Sequence, residues 1–279
     1  MFGIVLAGLS SAFNELSDSI GKKGMHDKAE SIYTFGFLNL LFGTILLVTF
    51  GFFRHELLFS LASLPTFLPR VVLEVLQAQL TVMAVARADR GDFGLMRMLT
   101  IPLLFVADVS LGYSISGGQM LGMALILVAI FLLLSSESYK TKGFWLLIIT
   151  AVNAAATISL YKYDISHFNS VEAEQSIVSI VLMLYFFTLA SLKTRENPLN
   201  FLWKPRFAAQ AIASGSSSFV GSFAILFAPA SVITAALRAS AVLFAILSGR
   251  FYFREKGFFV KVVLFVVVGT GLVLLARTY

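Results

Sequence analysis

Apolar stretches of about 20 residues recur along this chain with only short polar connections between them, and that spacing excludes most folds. A helix of about 20 residues crosses the hydrocarbon of a bilayer, where only helices and closed barrels satisfy every backbone N–H and C=O. Hydrophobic residues make up 58% of the sequence and charged residues 13%, against roughly 25% charged in soluble domains. Mean hydropathy is +0.88. A water-soluble fold is excluded, and the connections are too short to hold a separate soluble domain.

Hydropathy windows predict about ten helices, near residues 2–20, 31–53, 66–87, 93–112, 117–136, 144–163, 173–192, 206–227, 230–252 and 258–276. Breaks are read at Gly21-Lys22-Lys23-Gly24, Arg90-Gly91-Asp92, Ser116-Gly117-Gly118, Thr141-Lys142-Gly143, Glu196-Asn197-Pro198 and Ala228-Pro229. The first segment lacks a basic leader and contains Asn14, Glu15 and Asp18, so it reads as a retained helix.

The stretches fall into two halves, 1–139 and 140–279, divided near Glu137 to Lys142. Short matches recur in the same order. Ala29-Glu30-Ser31-Ile32 opens the second helix and Ala173-Glu174-Gln175-Ser176-Ile177 the seventh; Pro69-Arg70 with Glu74 opens the third and Pro205-Arg206 with Gln210 the eighth; Arg97 and Arg238 fall in the fourth and ninth. An odd number of helices per half turns the second repeat over in the bilayer. The expected fold is therefore an all-α integral membrane protein with two inverted five-helix repeats.

The net charge of +6 comes from Lys and Arg placed almost wholly in connections, as membrane orientation requires, so no nucleic-acid partner is expected. The odd-numbered connections hold most of them, which puts those connections in the cytoplasm. The chain has no cysteine and therefore no disulfide or thiolate site.

An ionisable group in hydrocarbon costs about 2.5 to 3.5 kcal/mol on insertion scales, so each needs a partner, a wet cavity or the interface. Ser11, Glu15, Asp18 and Lys22 follow three- and four-residue steps and share one face of the first helix. Glu15 is either a cavity-facing carboxylate for an amine or a proton, or an interfacial cap. Glu74, Gln77 and Thr81 form a stripe on the third helix. Gln210, Ser214 and Ser217 form its counterpart on the eighth, which reads either as a path lining or as small-residue packing. Arg238 is placed to hold a substrate carboxylate or pair with an acid, with Asp108 a partner to consider, and Asn153 to bond a substrate or a neighbouring helix.

Phe227-Ala228-Pro229-Ala230-Ser231-Val232, Leu237-Arg238-Ala239-Ser240 and Arg254-Glu255-Lys256 resemble the second half of EamA-like proteins in the drug/metabolite transporter superfamily. Leu95-Met96-Arg97, Pro102-Leu103-Leu104, Gly112 and Gln119-Met120-Leu121-Gly122 form a parallel run in the first half. Tyr113, Lys261 and Leu264 depart from the family pattern. The resemblance implies ten helices in two inverted repeats with a substrate path between them, and names no substrate; it also implies cytoplasmic termini, opposite to the charge count.

The expected function is a secondary transporter that moves a small metabolite, such as an amino acid, amine or drug-like compound, by alternating access and in the direction of export, with protons as a candidate coupling ion. No cofactor is expected, and no Walker A loop appears. An enzyme is not expected, because His26, His55 and His167 lie in connections and no HExxH occurs. A non-transporting membrane scaffold or sensor is the alternative. The expected setting is multi-pass in the cell (inner) membrane, where a monomer suffices and dimerisation stays open.

Overall fold

The computed structural model describes residues 2–103, 117–135, 144–224 and 230–276. Asp108, Gly112, Tyr113, the mid-chain break at 137–142 and the turn Ala228-Pro229 lie outside the described residues. Among the described residues there is no strand. The long helices are α1 (Phe2–His26), α2 (Ile32–Arg54), α3 (Leu64–Arg87), α4 (Arg90–Met96, continued by a 3-10 turn Arg97–Leu99), α5 (Gly117–Ser135), α6 (Phe144–His167), α7 (Val171–Leu189), α8 (Pro205–Ala224), α9 (Ala230–Phe251) and α10 (Phe258–Ala276). Among the described residues, Ile32–Arg54, Leu61–Arg87, Trp145–Ile165 and Val171–Thr194 are long and apolar enough to cross a membrane. The regular structure of the described residues is thus helical, and the protein is of the membrane type.

Polarity in α1 is arranged for lipid. Ser10, Ser11, Glu15, Ser17 and Asp18 are buried, while Phe2, Val5, Leu9, Phe13 and Leu16 are exposed. In water this arrangement would be costly; against hydrocarbon the apolar face needs no cover and the polar groups must turn inward.

Two expected breaks are helix instead. α1 runs through Gly21-Lys22-Lys23-Gly24 to His26, because these glycines serve close approach rather than chain reversal. The Phe35 ring occupies the place where a Cβ on Gly21 would stand, and the Glu30 carboxyl does the same at Gly24. Arg90-Gly91-Asp92 likewise forms the first turn of α4, with Asp89 at its N-cap.

The described chain divides into two compact units, residues 1–15, 87–155 and 220–279, and residues 16–86 and 156–219. Each draws on both sequence halves. In the first unit α4 packs on α9 and α5 on α10, the helices that occupy matching places in the two halves. In the second unit α2 packs on α7.

The α2·α7 pair is antiparallel, and its ends mirror one another. Ser31 caps α2 by accepting from the Thr34 N–H at 3.2 Å, and Ser170 caps α7 by accepting from the Ala173 N–H at 3.2 Å. Each capping hydroxyl then donates to the segment leaving the other helix: Ser31 Oγ to Glu196 Oε2 at 2.6 Å, Ser170 Oγ to the Glu56 carbonyl at 2.5 Å. Those segments also match. α2 ends on His55 at φ 57° and the π turn after α7 ends on Arg195 at φ 55°, each followed by a glutamate. Between the ends, Phe67, Val178 and Leu182 form a core joined by Leu40, Val71 and Val75.

Candidate functional site

Within the second unit, the two ends of the α2·α7 pair carry clusters built from matching residues in different arrangements. At the α7 N-terminus, Arg70 of α3 forms an ion pair with Glu174, and the two side chains are 1% and 0% exposed. Glu74 Oε1 stands 3.5 Å from the guanidinium, whose other side lies 4.4 Å from the centre of the Tyr161 ring of α6. Asn169 Nδ2 donates to Glu174 Oε2 at 3.1 Å and lies 3.0 Å from Ser63 Oγ, while Asn169 Oδ1 accepts from the Ser60 N–H at 2.8 Å. Thr66 hydrogen-bonds Asp164. A buried charge held on several sides in this way is electrostatically compensated.

At the α2 N-terminus the corresponding residues are Glu30, Arg206 and Gln210. Here the pair is open. Glu30 is 3% exposed and Gln210 0%, yet neither carboxylate oxygen of Glu30 and neither polar atom of the Gln210 amide has a hydrogen bond of full geometry. Arg206 lies 3.7 Å from Asp27 and donates to the Ile20 carbonyl at 3.2 Å. Glu196 is committed to Ser31 and Thr34. Burial pushes the Glu30 carboxyl up to about 8, the Gln210 amide and the Arg206 charge offset part of that rise, and the Glu196 charge adds to it.

The first unit holds a third cluster. Arg90 at the start of α4 donates Nε to Glu15 Oε1 at 2.9 Å and an Nη to Oε2 at 2.6 Å, a two-point clamp. Ser248 of α9 donates to the same carboxylate at 2.5 Å. Glu255, past the end of α9, accepts from the Arg90 and Gly91 N–H groups, filling donors that the first turn of α4 leaves free. Lys261 of α10 reaches Asp92 at 2.8 Å and Glu255 at 3.1 Å.

The predicted site residues fall into several groups. Glu15 joins the third cluster, and Glu74 the Arg70 cluster. Gln77 donates to Thr81 at 3.3 Å along α3. Gln210 faces Glu30. Ser214 donates to the Asn39 carbonyl at 2.7 Å, and Ser17 Oγ stands 2.8 Å from Asn39 Oδ1 and 3.0 Å from the Gln210 carbonyl, so this part of the stripe joins α1, α2 and α8. Ser217 of α8 and Asn153 of α6 are buried. Arg238 is half-buried on α9, within electrostatic range of Arg97.

Sequence reasoning did not single out Arg70, Glu174, Glu30, Arg90, Asp92 or Lys261 as site residues. The signal was the doubled Ala-Glu and Pro-Arg motifs, which mark both partners of the two end clusters. No protein-family model matches the chain, and no curated protein matches it.

Proposed function

We propose that the chain is a secondary transporter that moves a small metabolite across a membrane by alternating access between two inverted repeats. The observation that carries this reading is the antiparallel α2·α7 pair, in which matching caps, exit residues and buried acids meet end for end. Matching helices also pair in α4·α9 and α5·α10. Inverted repeats supply a chain with two nearly equivalent packings, one open to each side, which is what alternating access needs. The ionisable Glu15 in the inward-turned polar stripe of α1 supports the same reading. An amino acid, amine or drug-like compound is the substrate class, and a multi-pass place in the cell membrane is the setting. The resemblance to EamA-like transporters supports transport by two inverted repeats and names no substrate.

Counterflow in proteoliposomes tests the proposal. Amino acids, amines, sugars and phosphorylated metabolites are each offered with and without a pH gradient. Protein-dependent flux of one class is expected. A folded protein that moves none of them favours a scaffold or sensor. Proton coupling through Glu15 or Glu74 is tested alongside: if Glu15→Gln and Glu74→Gln both leave gradient-driven flux unchanged, neither carboxyl carries the proton.

A further inference from the structure

The two ends of the α2·α7 pair have matching parts, and only one of them is closed. Arg70 lies on Glu174 with both side chains out of solvent. Arg206 stands in the corresponding position on α8, but it is 36% exposed and turned to Asp27, while Glu30, which corresponds to Glu174, has no cation within ion-pair distance among the described residues. A buried carboxylate in that condition is far more costly than a neutral carboxylic acid beside the Gln210 amide. Gln210 itself marks the difference between the ends, because its counterpart Glu74 is an acid that adds to the hold on Arg70.

We propose that Glu30 is a proton-binding site, and that loss of its proton to water draws Arg206 away from Asp27 to close on Glu30 as Arg70 closes on Glu174. The inference rests on the repeat relation proposed above. The charged and titratable groups that act at this end are Arg206 on α8, Glu196 on the segment leaving α7, Asp27 on the connection after α1, and His26, whose Nδ1 stands 3.4 Å from Asp27 Oδ1, with Gln210 the amide beside Glu30. Glu196 opposes ionisation of Glu30, Arg206 favours it, and Asp27 competes with Glu30 for Arg206. Protonation of one carboxyl thereby sets whether this end is latched. The other end, where Arg70 is held by Glu174, Glu74 and the Tyr161 ring, stays latched without it.

The chain's lack of cysteine makes the test direct. A single Ser214→Cys thiol lies two turns beyond Arg206 on α8. Its labelling by a membrane-impermeant maleimide is measured in the full chain in lipid at about pH 6 and about pH 9, as a ratio to a cysteine placed at the exposed Trp203; the more buried thiol ionises later, which raises this ratio at the higher pH and so does not mimic a fall. The ratio is expected to fall about tenfold at the higher pH, as a latch closed in about nine molecules of ten requires. Glu30→Gln should remove the fall. Arg206→Gln should also remove it, while the infrared band of a protonated carboxylic acid, absent in Glu30→Gln, still disappears on raising the pH. A fall that survives either substitution, or a band that survives Glu30→Gln unchanged, overturns the proposal. Neither readout needs flux. An intact switch in a chain that carries nothing would sink the transporter reading alone, and flux without the switch would sink this inference alone.

Discussion

Arg70 and Glu174 pair across the middle of the sequence with their side chains 1% and 0% exposed. Removing one partner of such a pair leaves the other as an uncompensated buried charge, which costs about 3 to 5 kcal/mol, whereas replacing both with apolar groups costs far less. Glu174→Ala and Arg70→Met are each expected to lower unfolding stability in detergent by that order. Their combination should lose much less than the sum. Strict additivity in the double-mutant cycle would show that the two side chains do not act as a pair.

Glu30 makes stability depend on pH with a definite sign. Burial raises its carboxyl from the ordinary glutamate value of 4.5 to about 8, so between those values the folded chain binds a proton that the unfolded chain releases. That contribution is fully present below about pH 4.5 and is lost as pH rises to about 8. Thermal midpoints should therefore fall across this window in the native chain. In Glu30→Gln that part of the slope should vanish, and an unchanged slope would contradict the assignment.

Lys261 is the cation shared by Asp92 and Glu255, all three nearly out of solvent. Lys261→Met leaves two buried acids facing each other at the start of α4. It should destabilise by roughly 3 kcal/mol or more, and adding Asp92→Asn should recover part of the loss. Equal midpoints for the single and double variants would argue that Lys261 matters only for packing.

Gly21 gives way to the Phe35 ring inside α1. Gly21→Ala would raise helix propensity in isolation, but here the methyl group meets the ring, and overpacking of this kind costs about 1 to 3 kcal/mol. Pairing it with Phe35→Leu should return part of the stability. A Gly21→Ala chain as stable as the native one would mean that the ring moves aside freely.

The helical, membrane-type character follows from hydropathy because lipid acts on every turn alike. The inward stripe of α1 follows from three- and four-residue spacing for the same reason. Helix ends followed less well: Gly21 to Gly24 read as a break because a sequence does not show that Phe35 and Glu30 lie against those glycines. Ion pairing was hidden more deeply. Arg70 and Arg206 look like ordinary basic residues of connections, and the acids Glu174 and Asp27 that they meet lie more than a hundred residues away. The doubled Pro-Arg and Ala-Glu motifs were visible as signs of duplication, but which motif meets which is decided by the antiparallel packing of α2 on α7. The matching exits, His55-Glu56 and Arg195-Glu196, carry too little sequence likeness to be seen before their left-handed backbone is known.

The pairs that hold each unit together have consequences for how the chain is made. Arg70 waits for Glu174 and Asp92 for Lys261, so both of these charges in the first half are completed by a residue synthesised later, whereas the Arg90 guanidinium finds Glu15 within the first half. A nascent first half must enter the bilayer with its arginines at the headgroups or held by the insertion machinery, and it gains its interior only when the second half arrives. The two halves, expressed as separate chains, should find each other in the membrane, and neither should persist alone.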